Sequence, residues 1–141
     1  MIVKYKAWDK SEKKMKQVYS IKFNEQGEAI AIQDEFADNY ETYVTYDVKY
    51  YELLQSTGLF DKNGKEIFQG DIIHYKIEDK SNDGSPYTLR ELTGYIYKEG
   101  NCMWVKVNDS EIVPLWCLED QYVIFKILGN IYEHPHLLEE E

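Results

Sequence analysis

Two turn signals inside Gln55–Ile73 (QSTGLFDKNGKEIFQGDII), Asn63-Gly64 and Gly70-Asp71, constrain this chain more than any other feature. Asn-Gly accepts φ > 0 cheaply at both positions, which makes it the strongest short-range hairpin signal. Two loop forms satisfy it: a two-residue type I′ turn, or a type I turn closed by Gly64 in the left-handed region. In either form Leu59-Phe60 and Glu66-Ile67-Phe68 run antiparallel across it. Gly70-Asp71 then launches Ile72–Ile77, a run of strand character with Ile73, Tyr75 and Ile77 on one face and Ile72, His74 and Lys76 on the other. Gly58, Gly64 and Gly70 recur at intervals of six, a spacing that reads as three turns bounding short strands. Asp61 and Asp71 beside them read as side-chain caps of those turns.

The rest of the chain has the same texture. Residues 2–8 alternate, with Val3, Tyr5 and Ala7 opposite Lys4 and Lys6, and Asp9–Lys14 is a polar turn. Tyr19, Ile21 and Phe23 mark a second strand, Asn24–Gly27 a turn, and Glu28–Gln33 a third strand. Short connections of this kind join antiparallel neighbours, so the opening is a meander. Asp34–Glu41 fits either one helical turn or an acidic loop. Alternation from Val44 through Tyr50 predicts a long strand leading into Leu53-Leu54, with a helical turn at Tyr51–Leu54 as the competing form. Glu78–Tyr87 (EDKSNDGSPY) is the clearest loop, mobile and tolerant of insertion. Further strands are predicted at 90–98, 102–107 and 121–131, with the apolar segment Val113–Leu118 entered through Pro114. In the tail, Leu137 and Leu138 dock and the three glutamates stay in water. The predicted fold is mainly β: an N-terminal antiparallel meander (1–55), a small SH3-like barrel (56–141), and few or no long helices.

Composition sets the function classes. Net charge is −10, but residues 1–22 carry +5 and the remainder −15. An acidic body of that size repels nucleic-acid phosphates, so nucleic acid is not an expected partner. The basic end, with Lys4, Lys6, Lys14 and Lys16 as candidate contact residues, offers a patch for an acidic neighbour. A first strand near the terminus would also be a sheet edge, open to another chain or guarded against one by those lysines. Thirteen tyrosines suit strands and half-wet surfaces. Cys102 and Cys117 form neither a disulfide framework nor a CxxC motif and read as buried, slow-reacting thiols. No apolar run reaches the roughly 18–20 residues of a bilayer span. The N-terminus has no signal-peptide pattern, so the expected place is the cytosol and a membrane is not an expected partner.

Three segments carry a resemblance to the YopX family of phages and prophages of Gram-positive bacteria. They are KYKAWDKSEKKM near the start, QSTGLFDKNGKEIFQGDII in the centre and ILGNIYEHPHLL near the end. Their order and spacing agree along nearly the whole chain. The resemblance implies a mostly β, phage-encoded protein with a barrel-like second half, placed in the cytoplasm of the bacterial host. The family has no assigned activity, so it transfers no catalytic residues.

The residues themselves offer little chemistry. His134-Pro135-His136 beside Glu133 has metal-capable donors at one short spacing only, which reads as a surface turn with Pro135 as a stop. His74 reads as a partly satisfied surface residue. Phosphate-binding glycine loops and a nucleophile elbow are absent from the sequence. No catalytic, cofactor-binding or metal-binding residue is assigned. The predicted function is a non-enzymatic interaction module whose partners are a second copy of itself and a host or phage protein. The alternative is an acidic nucleic-acid mimic that occupies a host DNA-binding protein.

Overall fold

The alternating stretches are strands in the computed structural model, which describes residues 4–34, 45–118 and 123–138. The chain divides into two compact units, Met1–Ser56 and Thr57–Glu141.

In the first unit β1 (Tyr5–Asp9), β2 (Lys14–Phe23), β3 (Ala29–Asp34) and β4 (Thr45–Asp47) form an antiparallel meander, and the first half of β5 (Tyr51–Phe60), up to Ser56, returns along the free side of β1. Tyr5 pairs with Gln55 and Asp9 with Tyr51, while Lys6 and Asp9 face Gln17 and Lys14 of β2. The first strand is therefore interior and not the edge its position in the sequence suggested. The return of the ten-residue β5 is the reason. Ala7, Ile32 and Tyr51 are buried together, with Val18, Ile21, Val48 and Leu53 packed around them. The β1–β2 turn is built by Asp9, whose Oδ1 accepts the Ser11 and Glu12 N–H groups at 2.9 and 3.0 Å. Lys13 closes it at φ 56°, a conformation L-residues adopt at a cost.

The long strand expected over Val44–Tyr50 is broken. β4 ends at Asp47, and Val48–Tyr50 is a 3₁₀ turn whose Lys49 N–H is capped by Asp47 Oδ1. An Asp that can bond two residues ahead competes with the strand ladder, which alternation alone does not register. Tyr51–Leu54, by contrast, is strand and not helix. Of the helix-or-loop stretch 34–41, only Asp34 lies within the described residues, as the end of β3.

In the second unit β6 (Glu66–Phe68) lies beside the end of β5. A second antiparallel sheet has the order β10 (Glu111–Pro114), β9 (Cys102–Asn108), β8 (Pro86–Glu99), β7 (Asp71–Lys80), β11 (Val123–Asn130). The mainly β expectation holds, though this pairing does not by itself specify a closed SH3-like barrel. One face of the sheet holds the core: Ile73, Tyr75, Ile96, Val105 and Phe125 pack with Ile67, Leu115 and Leu118. Fully burying side chains of this size stabilises by about 1.5–3 kcal/mol each. The expected loop Glu78–Tyr87 is shorter than the sequence suggests and half of it is strand, because β7 runs to Lys80 and β8 starts at Pro86. Only residues 81–85 turn, held by Ser81 N–H to Ser85 O at 2.9 Å. At the end of the chain Pro135 opens a 3₁₀ turn, Pro135–Leu138, instead of stopping a helix, and Leu138 is exposed.

The central hairpin takes the second of its two allowed forms. Gly64 N–H donates to Asp61 O at 3.0 Å and Asp61 N–H to Lys65 O at 2.8 Å. Gly64 has φ 81° while Asn63 stays at negative φ, so the loop is a type I turn closed by a left-handed glycine. Gly58, inside β5, has φ 80°, where Thr57 Oγ1 accepts from Leu59 N–H and donates to Ile67 O at 2.7 Å. An alanine at position 64 would meet no atom within 4 Å, so Gly64→Ala carries backbone strain alone. The expected loss is about 1–2 kcal/mol. Because Gly58 has nearly the same φ, Gly58→Ala carries the same backbone strain and should lose a similar amount. Thermal melts decide it, and an unchanged midpoint for both variants would remove the strain argument.

Candidate functional site

Since Ile73, Tyr75 and Ile77 fill the core, the residues between them, His74, Lys76 and Glu78, stand on the other face of β7. Register then fixes their neighbours. His74 lies between Thr93 of β8 and Lys126 of β11, and Lys76 between Glu91 and Ile124. His74 Nε2 is 2.7 Å from Glu91 Oε1, and His74 Nδ1 is 2.9 Å from Thr93 Oγ1. A carboxylate only accepts, so Nε2 carries the proton in that bond. In the neutral ring Nδ1 then accepts the Thr93 hydroxyl. The His74 hydrogen bond holds the Glu91 carboxyl below its ordinary range; partial desolvation opposes this, and Lys76, 3.8 Å away, assists. Thr93, His74 and Glu91 have the order of a proton relay. Both ring nitrogens, however, are consumed in tying β8 to β7, which makes the imidazole a strut.

Lys62 joins this face from the hairpin loop, where its backbone N–H donates to Phe125 O of β11 at 2.8 Å. Lys62, His74, Lys76, Glu78, Glu91, Ile124 and Lys126 line a groove of about 400 Å³. His74 was visible in the sequence as an outward residue. Its partners were not, because they depend on the β7–β8 register.

A second surface feature follows β10. The 3₁₀ turn Leu115–Leu118 buries both its end leucines, each 3% exposed, and holds Trp116 between them at 67% exposure. On the β7–β8 ribbon Tyr87 and Leu89 are also exposed.

The residues singled out in the sequence fall into two groups. Asp61 is buried, with Oδ1 accepting Asn63 and Lys65 N–H at 2.9 Å each and Oδ2 accepting Ile127 N–H at 3.4 Å. Burial pushes its carboxyl upward, but the Lys65, Asn63 and Ile127 donors outweigh it and the net shift is downward. Asp71, also buried, accepts Phe68 N–H at 2.8 Å across Gly70. Gly70, at φ 90°, donates to Ile96 O and accepts from Ile131 N–H. Among the N-terminal lysines, Lys4 and Lys14 are exposed and Lys6 is half-buried. Lys16 is used inside the first unit: its ammonium is 3.3 Å from buried Asp9 and 5.7 Å from the Tyr51 ring centre.

The C-terminal segment Gly129–His134 is built onto the same region. Asn130 Oδ1 accepts Tyr132 and Glu133 N–H, and His134 Nδ1 accepts Asn130 N–H at 3.2 Å. A Cβ on Gly129 would lie 2.6 Å from that ring nitrogen, and one on Gly70 2.7 Å from Tyr132 Cε2. The central and terminal segments noted in the sequence thus close on each other, with Asn130 paired to Asp71.

Cys102 corrects an expectation. It is exposed at the β8–β9 hairpin, next to the Gly100-Asn101 loop, and not a buried small hydrophobe. Native protein should therefore react at Cys102 with a thiol reagent about as fast as unfolded protein does. Protection of Cys102 by orders of magnitude would contradict its exposure.

The YopX protein family model matches residues 4–139. The crystal structure of protein EF1440 from Enterococcus faecalis is similar, with 28% identity, a TM-score of 0.62, and coverage of 98% of this chain and 99% of that one. No curated protein matches the chain.

Proposed function

The chain belongs to the YopX family, and from that premise we propose that it is a non-enzymatic, phage- or prophage-encoded module acting by protein–protein contact, first with a second copy of itself. One observation carries the proposal: an indole 67% exposed on a turn fixed by two buried leucines. A large rigid aromatic held in water at a fixed position is the commonest kind of interface anchor. Charge complementarity selects the second copy as occupant. Residues 57–141 hold eight basic and sixteen acidic groups, a net −8, whereas residues 1–22 carry +5. On β2, Tyr19 (61%) and Phe23 (54%) are exposed, as are Lys14 and Lys22 of the same strand. An acidic second unit bearing Trp116 matches that basic, aromatic strand on a neighbour. Two different patches meeting in this way make a heterologous contact, which closes as a ring or extends as a filament.

The test is particle size by light scattering at about 0.1 M and about 1 M salt, where the Debye length falls from about 10 to about 3 Å. Association that weakens with salt supports the reading. A monomer at about 100 μM in both conditions sinks it, since contacts of functional strength would by then be occupied. The net −8 of the second unit also favours a second reading, a nucleic-acid mimic. Competition with duplex DNA for a DNA-binding host protein would select it.

A further inference from the structure

The groove on the β8–β7–β11 face holds an uneven share of the second unit's positive charge. That unit has eight basic residues in all, and Lys62, Lys76 and Lys126 converge on this one surface from the hairpin loop, β7 and β11. Lys76 has Glu91 at 3.8 Å, but among the described residues no carboxylate lies within ion-pair distance of Lys62 or Lys126. Elsewhere in the unit Arg90 pairs with Glu111 and Lys106 with Asp109, while Lys65 and Lys80 have no ion pair among the described residues and do not line the groove. Sixteen acidic groups were on hand for pairing. Like charges left side by side repel, and folding gains nothing from them. Within the groove the negative charge is Glu91 and Glu78. Glu91 is engaged by His74 and Lys76, and His74 is tied on both nitrogens.

We infer that this groove binds a small phosphate-bearing molecule, with Lys62 and Lys126 as its direct contacts and Lys76 contributing field. Ammonium groups arriving from three elements act as separate point charges, which suits the several acceptor oxygens of a tetrahedral phosphate better than a flat carboxylate. The volume, about 400 Å³, exceeds what a phosphate group needs and falls in the range of small-molecule sites. Ile124, 37% exposed on the same surface, gives the organic remainder an apolar wall. The net −8 of the unit disfavours a nucleic-acid strand, whose further phosphates would meet acidic surface.

The experiment is an amide-resolved NMR titration of the full chain with inorganic phosphate, against acetate and chloride at equal ionic strength. Saturable shifts should appear at Lys62, Ile124 and Lys126 with a dissociation constant on the order of millimolar. In the Lys62→Gln/Lys126→Gln double variant binding should weaken about ten-fold, with an unchanged melting temperature because both side chains lie at the surface. Shifts that do not saturate, that acetate reproduces, or that survive in the double variant would overturn the assignment.

Discussion

Gly70→Ala should destabilise the protein by about 3 kcal/mol or more, a fall in melting temperature of roughly 10 °C for a chain of this size. Two separable costs add. The backbone at position 70 has φ 90°, outside what an L-residue takes easily, which costs about 1–2 kcal/mol. The new Cβ would also stand 2.7 Å from Tyr132 Cε2. Relief requires the ring to move, yet Tyr132 sits in a turn fixed by Asn130 and followed by the His134 contact on Gly129. Forcing an extra carbon into such a site costs about 1–3 kcal/mol. Gly64→Ala isolates the first cost, since its φ is 81° and no atom lies within 4 Å. The difference between the two variants is thus the steric part. In the Gly70→Ala/Tyr132→Ala background that part should vanish, leaving a coupling between the sites of at least about 1 kcal/mol. Equal melting points for Gly70→Ala and Gly64→Ala would show that Tyr132 does not press on Gly70.

The same pair shows what could be read from the chain and what could not. Turn chemistry was legible because it is local. Asn24–Glu28 (NEQGE), Asp61–Lys65 (DKNGK) and Ser81–Ser85 (SNDGS) are one construction: a first residue whose carbonyl accepts the glycine N–H, and a glycine at φ 80–85°. Asn24 and Asp61 even use their side chains alike, each capping the N–H groups two and four residues on. Non-local packing was not legible. That Gly70 must be bare because Tyr132 covers it depends on β7 and β11 lying side by side, and the sequence does not number its own neighbours.

Register across the β7–β8 ribbon is the sharper case. Counting back from the turn, where Lys80 faces Pro86 and Glu78 faces Thr88, places Leu92 opposite His74 and Glu91 opposite Tyr75. A charged Glu91 would then point at the core. The bulge between Ile77 and Glu78 adds Leu89 on the β8 side, so His74 faces Thr93 and Lys76 faces Glu91. One inserted residue turns every later side chain to the opposite face. The candidate groove exists because of that bulge. No alternation rule announces it, although an acidic residue misplaced onto an apolar face is the signal that the count is off by one.

Trp116→Ala should weaken self-association by about thirty-fold or more while leaving the fold nearly untouched. The two expectations have different origins. Leu115 and Leu118, each 3% exposed, hold the turn, and the indole between them is 67% exposed. Removing it should change unfolding free energy by about 0.5 kcal/mol or less, as for other surface substitutions. At an interface the same ring would bury most of its remaining surface, and anchors of this type cost about 2 kcal/mol or more when truncated, which is about thirty-fold in dissociation constant. The proposed seat on the neighbour is the β2 surface around Tyr19 and Phe23, so Phe23→Ala should weaken association as well. In the double variant the two losses should not add, because each removes half of the same contact. Mixing the two single variants gives the decisive geometry. A heterologous contact leaves each mixed pair one intact junction, so Trp116→Ala with Phe23→Ala protein should form dimers that stop there. Analytical ultracentrifugation of the singles and the mixture reads this directly. Association constants unchanged by Trp116→Ala, or a loss matched by an equal loss of melting temperature, would remove Trp116 as the anchor.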